Sequence, residues 1–223
     1  MTLFDVWKFL HILMFVGWVG ADMGVFLSAK KSTDPKWSFE SRMLFLHMAL
    51  RIELIPRTMW KAALPLGVML SVDMGLLDIG TAGIASVWIF TTLWWALSMT
   101  GAFYYDRPIG HQLAKIANFI TGCVGVSLIT VAIASSMGNG PFDPDATWLL
   151  WKVGLYGMIN LTCLAIVVTF DPMGPAFGRL AVEGSTPEVE GQINKIFNVS
   201  VFPIWTTYAL VVFVAFIATT RFI

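Results

Sequence analysis

Residues 10–26 read LHILMFVGWVGADMGVF. The stretch is apolar enough to sit in hydrocarbon, yet it carries His11 near one end and Asp22 near the other. An α-helix needs about 20 mostly apolar residues to cross a bilayer, and this run extends in both directions to cover residues 4–28. A charged group held against lipid at the middle of such a helix costs at least about 2.5–3.5 kcal/mol. The span must therefore turn the stripe that carries His11 and Asp22 toward other helices.

The whole chain supports a membrane reading. Of its 223 residues 57% are hydrophobic and 13% charged, against about 45–50% and about 25% in soluble domains, and mean hydropathy is +0.75. The net charge is zero, which leaves no global field to attract nucleic acid. Cys123 and Cys163 both lie in apolar runs and read as inert helix thiols, not as a disulfide framework. Asp5 and Lys8 precede a long apolar run with no small-residue cleavage site, so the first span is expected to stay as an anchor.

Six segments are apolar enough to span: residues 4–28, 57–77, 83–104, 115–136, 147–169 and 198–220. They predict an all-α fold, a polytopic membrane protein with a six-transmembrane-helix bundle, in which residues 1–223 form one integral membrane domain. STDP, YYDRPIG, GNGPFDPD and the 170–197 stretch supply the breaks. The last is expected to be a loop ending in a short amphipathic helix. Residues 38–75 could be helical throughout, roughly 55 Å long against a core of about 30 Å. Either the first part lies on the membrane surface or one bent helix projects beyond it, with Pro56 and Pro65 as the natural bends. Lys30, Lys31, Lys36, Arg42, Arg51, Arg107, Lys115, Arg179 and Lys195 fall on connections of one side. Positive-inside bias makes that side cytoplasmic and puts both termini outside.

At 100° per residue Trp7, His11, Met14, Phe15, Trp18 and Asp22 share one stripe of the first span, with Gly17, Gly20, Ala21 and Gly24 opposite. The small residues suit close helix packing, within the chain or, through the Gly20/Gly24 face, with a second copy or a larger membrane complex. His11 and Asp22 stand about 16 Å apart along the axis and need separate partners. Other spans offer polar stripes: Lys152, Tyr156, Asn160 and Cys163; Asn118, Thr121, Gly122, Gly125 and Ser136; Thr91, Trp95 and Ser98; Arg57 and Lys61; Asn198 and Tyr208. Topology sorts them into an outer layer of Lys8, His11, Asp73 and Lys152. The inner layer holds Asp22, His47, Arg51, Glu53, Arg57, Lys61, Asp106, Arg107 and His111. In HMALRIELIPRTMWK the pairs His47/Arg51 and Glu53/Arg57 are spaced i, i+4. They read as a solvated juxtamembrane helix laced with salt bridges, or as a basic mouth for a lipid headgroup, a propionate or an anionic substrate.

The three histidines form no HxxxH or HExxH spacing and there is no CxxC, so zinc finds little support. Haem takes an axial His, sometimes Met. His11 lies in a span flanked by Trp7, Phe15 and Trp18, and Met14 is a soft ligand one turn away.

KFLHILMFVGWVGADMGVF and IELIPRTMWKAALPLGVMLS together resemble the start of small bacterial membrane proteins of the CopD copper-resistance and HemJ protoporphyrinogen-oxidase type. The shared features are K-x-x-H, here Lys8 to His11, then W-x-G, Trp18 to Gly20, and a basic residue at the start of the next span. The resemblance covers roughly the first 80 residues. It implies a bacterial inner membrane location and a haem or porphyrin held by His11 with basic residues near it. The resemblance carries over to His11, Arg57 and Lys61; with the residue reading, His11, His47, Arg51 and Trp18 are the cofactor-binding candidates, and Arg51, Arg57 and Lys61 would neutralise propionates. His11 and Met14 are the metal ligands, and Asp22, Arg57 and Lys61 the reacting groups. The expected function is a haem b redox protein exchanging electrons with a quinol or porphyrin-like substrate. Two alternatives stand beside it: a small-solute, metal or proton-coupled transporter, and a non-catalytic subunit of a membrane complex. Membrane lipids are the partners expected in every case.

Overall fold

Pro56 decides where the second hydrophobic stretch breaks. It has no N–H to donate, and its ring crowds the carbonyl of Ile52, four residues earlier. In the computed structural model, which describes residues 2–105 and 107–221, one helix ends at Ile52 and the next begins at Leu54. The helices are α1 Leu3–Ser32, α2 Phe39–Ile52, α3 Leu54–Asp73, α4 Thr81–Phe103, α5 Pro108–Ser136, α6 Thr147–Phe170, α7 Met173–Glu183 and α8 Pro187–Thr220. The turn thus falls at Glu53, ahead of both prolines, and Pro65 lies inside α3 without ending it.

Two other boundaries differ from the sequence expectation. α5 and α8 start at Pro108 and Pro187, well ahead of residues 115 and 198. Proline at the first helical position is already set for helix and lacks only an N–H that would have been orphaned. Thr186 adds a cap, accepting from the Val189 N–H at 3.4 Å. The 170–197 connection is helical at its end, as expected, but there as the first turns of α8, and it gains a further short helix, α7, at its start. Gly184, at φ +75°, stops α7 in a conformation that costs glycine little. Asp106, assigned above to the inner layer, lies outside the described residues.

The fold is an all-α bundle; among the described residues the only β feature is one bridge between Leu77 and Phe142. Neighbours run α1–α3–α4–α5–α6–α8. Phe26 of α1 closes the circuit against Phe197 and Trp205 of α8, with ring centroids 5.9 and 5.8 Å apart. Trp18, Trp60, Trp94, Val124, Ile159 and Val211 form the central core, one residue from each of those six helices. Five stretches are long and apolar enough to cross a membrane: α1, α4, α5, α6 with α7, and α8. The sixth rod, α3, is 20 residues, about 30 Å long. It carries Arg57 and Lys61, and these lower its apolar character while its flanks pack on α1 and α4.

α5 and α6 approach most closely where two glycines meet. A Cβ on Gly157 would stand 2.6 Å from the Gly125 carbonyl oxygen, and one on Gly125 3.0 Å from the Gly157 oxygen. Removing side chains lets two backbones come this near.

At the end of the bundle away from the chain termini, α2, α7 and the first turns of α8 form a second core with Ala29 of α1. Met173, Ala176, Val189 and Ile193 are at most 1% exposed there. Arg42 pins this module. It forms a two-pronged pair with Glu190 at 2.6 and 3.0 Å, donates from Nε to the Ser32 carbonyl at 2.8 Å and lies over the Phe177 ring. Burial of a guanidinium is tolerated when its fork is filled in this way.

Of the small residues on α1, Gly17 faces Met59 of α3 and Gly24 faces Ile52 of α2, whereas Gly20 has open space around it. Most of the small face is thus consumed inside the chain.

Candidate functional site

The stripe on α1 does turn inward. Trp18 stacks on Trp60 of α3 with centroids 6.4 Å apart, and Trp60 meets Trp94 of α4 edge-on at 5.7 Å. Lys61 follows Trp60 on α3 and is 1% exposed. Its ammonium lies 4.1 Å from the Trp60 ring centroid and 4.9 Å from that of Trp94. Among the described residues no carboxylate stands within ion-pair distance of it and no acceptor takes its N–H groups. Cation–π attraction is worth about 2 kcal/mol when desolvated. That falls short of the several kcal/mol that desolvating an ion costs.

Around Lys61 the neighbouring helices supply further polar groups. One turn toward the α2 end, Arg57 is held by Glu53 at 2.6 Å and donates to Ser98 of α4 at 3.0 Å. From α6, Tyr156 donates to the Trp60 carbonyl at 2.7 Å. Asn160, fully buried, donates to the Tyr156 carbonyl at 2.7 Å. The Cys163 thiol lies within electrostatic reach of Asp22, Lys61, Glu53 and Arg57. Asp22 of α1 enters beside Tyr208 of α8 and makes no ion pair among the described residues.

Three buried polar atoms in this group complete no hydrogen bond in standard geometry: Trp60 Nε1, Asn160 Oδ1 and the Tyr208 hydroxyl. Buried polar atoms nearly always find a protein or water partner. The Tyr208 hydroxyl is turned to Asp22, but a free indole N–H and a free amide oxygen in the cluster of an unpaired ammonium describe a place that takes water or a polar ligand.

A second, smaller station lies nearer the chain termini. His11 packs on α3, its Cε1 3.5 Å from where a Cβ on Gly67 would sit. Lys152 Nζ stands 3.4 Å from His11 Nε2. With Lys152 as the ammonium, which only donates, Nε2 is the acceptor and Nδ1 carries the ring hydrogen. His11 Nδ1 is buried and unpartnered.

The structure thus brings Asp22, Arg57, Lys61 and Trp18 into one interior cluster and His11 into the bundle at another level. Met14, also on the inward stripe, is half-buried. His47 and Arg51 are not gathered in. They sit on the exposed side of α2, Arg51 above the Phe103 ring, because Arg42, Leu46 and Ala49 form the face that packs. Lys8, Asp73, Arg107 and His111 are exposed as well, which leaves His11 and Lys152 alone to form the outer layer. Among the described residues no three His, Cys, Asp or Glu side chains converge for a metal. Trp94 was missed in the sequence. Its indole N–H donates to the Ala117 carbonyl at 3.3 Å while its ring faces Lys61, and nothing in an apolar span singles out one tryptophan among several.

Two grooves open elsewhere. One of about 450 Å³ at the terminal end is lined by Phe4, Asp143, Asp145, Trp148 and Arg221. The other, about 400 Å³, runs between α6 and α8, where its threonine hydroxyls are spent on carbonyls of their own helices.

No protein family, no curated protein and no solved structure matches the chain.

Proposed function

We propose that this chain is a multi-pass transporter of the bacterial inner membrane that moves a small solute together with protons, with both termini outside the cytoplasm. The observation that carries the reading is Lys61, an ammonium buried between α3, α4 and α6 with no carboxylate in ion-pair reach among the described residues. Ionisable groups inside a membrane are costly and are found where ions or protons travel. Asp22, facing Tyr208 and near Cys163 and Glu53, is the group that exchanges the proton. His11 and Lys152 form the second stop on the way to the terminal end.

The test is proton movement in vesicles containing the purified full chain and an internal pH dye. Under an imposed pH gradient, with a mixture of small anions, metal cations and sugars on both sides, the native protein is expected to acidify the lumen, and Asp22→Asn to fall to the level of empty vesicles. Proton entry that persists in Asp22→Asn would remove the proposal.

A haem-type redox role is the second proposal, and His11 is its support: an interior histidine with an unpartnered ring nitrogen. The other residues fit a macrocycle poorly. Trp18 and Trp60 stack on each other, Arg57 is held by Glu53 and Ser98, and His47 and Arg51 face away from the interior. A Soret band in the purified protein that disappears in His11→Ala would establish this role in place of transport. A docking role in a larger complex or a homo-oligomer would fall to Gly20, the open position of the α1 small face. Gly20→Leu is expected to fold, and a drop in its mass on light scattering would place an interface there.

A further inference from the structure

We propose that the cargo is a small monovalent anion, a halide-sized ion or a monocarboxylate, bound at Lys61 and passed to Lys152; this rests on the transport reading above. Both interior lysines lack a carboxylate within ion-pair distance among the described residues, and they lie at different depths. Among the described residues no protein oxygen accepts from either ammonium. At Lys61 the indole N–H of the adjacent Trp60 is unpartnered as well, and so is the amide oxygen of Asn160 on α6, while the Tyr208 hydroxyl is turned to Asp22. At Lys152 the unpartnered neighbour is the Nδ1–H of His11. Donors without acceptors, at two successive levels, match a ligand that brings negative charge and lone pairs.

The spacing suits a passage in steps. His11, which carries Lys152 on its Nε2, meets α3 at Gly67, six residues beyond Lys61, which is about 9 Å along the helix. Arg57 lies one turn on the other side of Lys61, with its side chain 18% exposed, and so reaches toward the α2 end. Arg57, Lys61 and Lys152 form a ladder of cations through the bundle.

Charge balance then couples anion to proton. The groups of the inner cluster are Asp22 from α1, Glu53, Arg57 and Lys61 from α3 and the turn before it, Cys163 and Tyr156 from α6, and Tyr208 from α8. With both carboxylates and both cations charged the cluster is neutral. A proton on Asp22 leaves it one unit positive, and an anion at Lys61 restores neutrality. The proton comes from the aqueous phase on one side, travels on the Asp22 carboxyl and leaves to the other side, with no net charge moved.

The experiment uses the full chain in nanodiscs and in vesicles. Because Trp60 and Trp94 touch the site, tryptophan fluorescence reports occupancy during titration with the sodium salts of chloride, nitrate and pyruvate, and with rubidium gluconate as the cation control. At least one small anion is expected to shift the emission, more at pH 6 than at pH 8. Lys61→Met should abolish the shift while leaving thermal stability intact, and Lys61→Arg should retain it. In vesicles a gradient of the same anion should drive proton entry that is lost in Lys61→Met and slowed in Lys152→Met. Chloride or nitrate alone responding would identify a halide-sized cargo, and pyruvate alone a monocarboxylate. A response to rubidium, or an anion response unchanged in Lys61→Met, would overturn the assignment. Asp22-dependent proton movement with no anion response would overturn it while leaving the transport reading in place. Anion binding lost in Lys61→Met without Asp22-dependent proton movement would support the site and remove the transport reading alone.

Discussion

Arg42→Ala is expected to cost about 3–5 kcal/mol of stability, the range for breaking a buried ion pair from one side. The side chains of Arg42 and Glu190 are 2% and 14% exposed, so little solvent screens the loss. Truncation leaves the Glu190 carboxylate with one hydroxyl, Ser185 at 2.6 Å, in place of a guanidinium fork. It also orphans the Ser32 carbonyl and removes the cation from the face of Phe177. The loss falls on the module of α2, α7 and the first turns of α8, while the central tryptophan core lies elsewhere in the bundle. Limited proteolysis in detergent should therefore cut Arg42→Ala first between α7 and α8, where Gly184 and Ser185 are exposed, before the melting of the bundle. Arg42→Lys should recover only part of the loss, since a point charge cannot fill both carboxylate oxygens and the Ser32 carbonyl. An Arg42→Ala protein as protease-resistant as the native one would show that the pair contributes nothing.

Gly157→Leu is expected to prevent α5 and α6 from closing, with a cost of about 3 kcal/mol or more, at or beyond the upper end of ordinary overpacking. Even the first added carbon would lie 2.6 Å from the Gly125 oxygen and 2.8 Å from Ile129 Cγ1. The carbonyl belongs to a helix backbone and cannot swing aside as a side-chain tip can. α6 also carries Lys152, Tyr156, Asn160 and Cys163, so a shifted α6 would separate both polar stations from α3. The matched control is Gly20→Ala, where nothing lies within 4 Å. There alanine should be neutral or stabilising by up to about 1 kcal/mol, from helix propensity alone. Unfolding in mixed micelles measures both. Equal stabilities for the two variants would mean that the α5–α6 contact is looser than the glycine pair implies.

Much of the interior was legible because a helix repeats at a known angle. The stripe through His11, Trp18 and Asp22, and the one through Lys152, Tyr156, Asn160 and Cys163, follow from 100° per residue and from the cost of facing charge to lipid. Arg57 and Lys61 fall on the same logic. His47 and Arg51 show its limit. They share an i, i+4 spacing with each other, but so do Arg42 and Leu46, one step around the same helix. On a short amphipathic surface helix both faces carry polar residues, and spacing alone does not choose the buried one. Arg42 and Glu190 are 148 residues apart, and no local pattern links two such positions.

The amino-acid sequence by itself determined that this chain is a helical membrane bundle and which groups each span had to hide, because hydrophobic length and helical period are properties of one segment at a time. Only the tertiary structure decided which helices became neighbours, and with that the company each hidden group keeps. Lys61 was given two indoles and, among the described residues, no carboxylate in ion-pair reach, Lys152 a histidine, and Arg42 a glutamate from the far end of the chain. Partner choice depends on how whole helix surfaces interlock, through contacts such as Gly125 on Gly157, and those surfaces exist only once the helices have met.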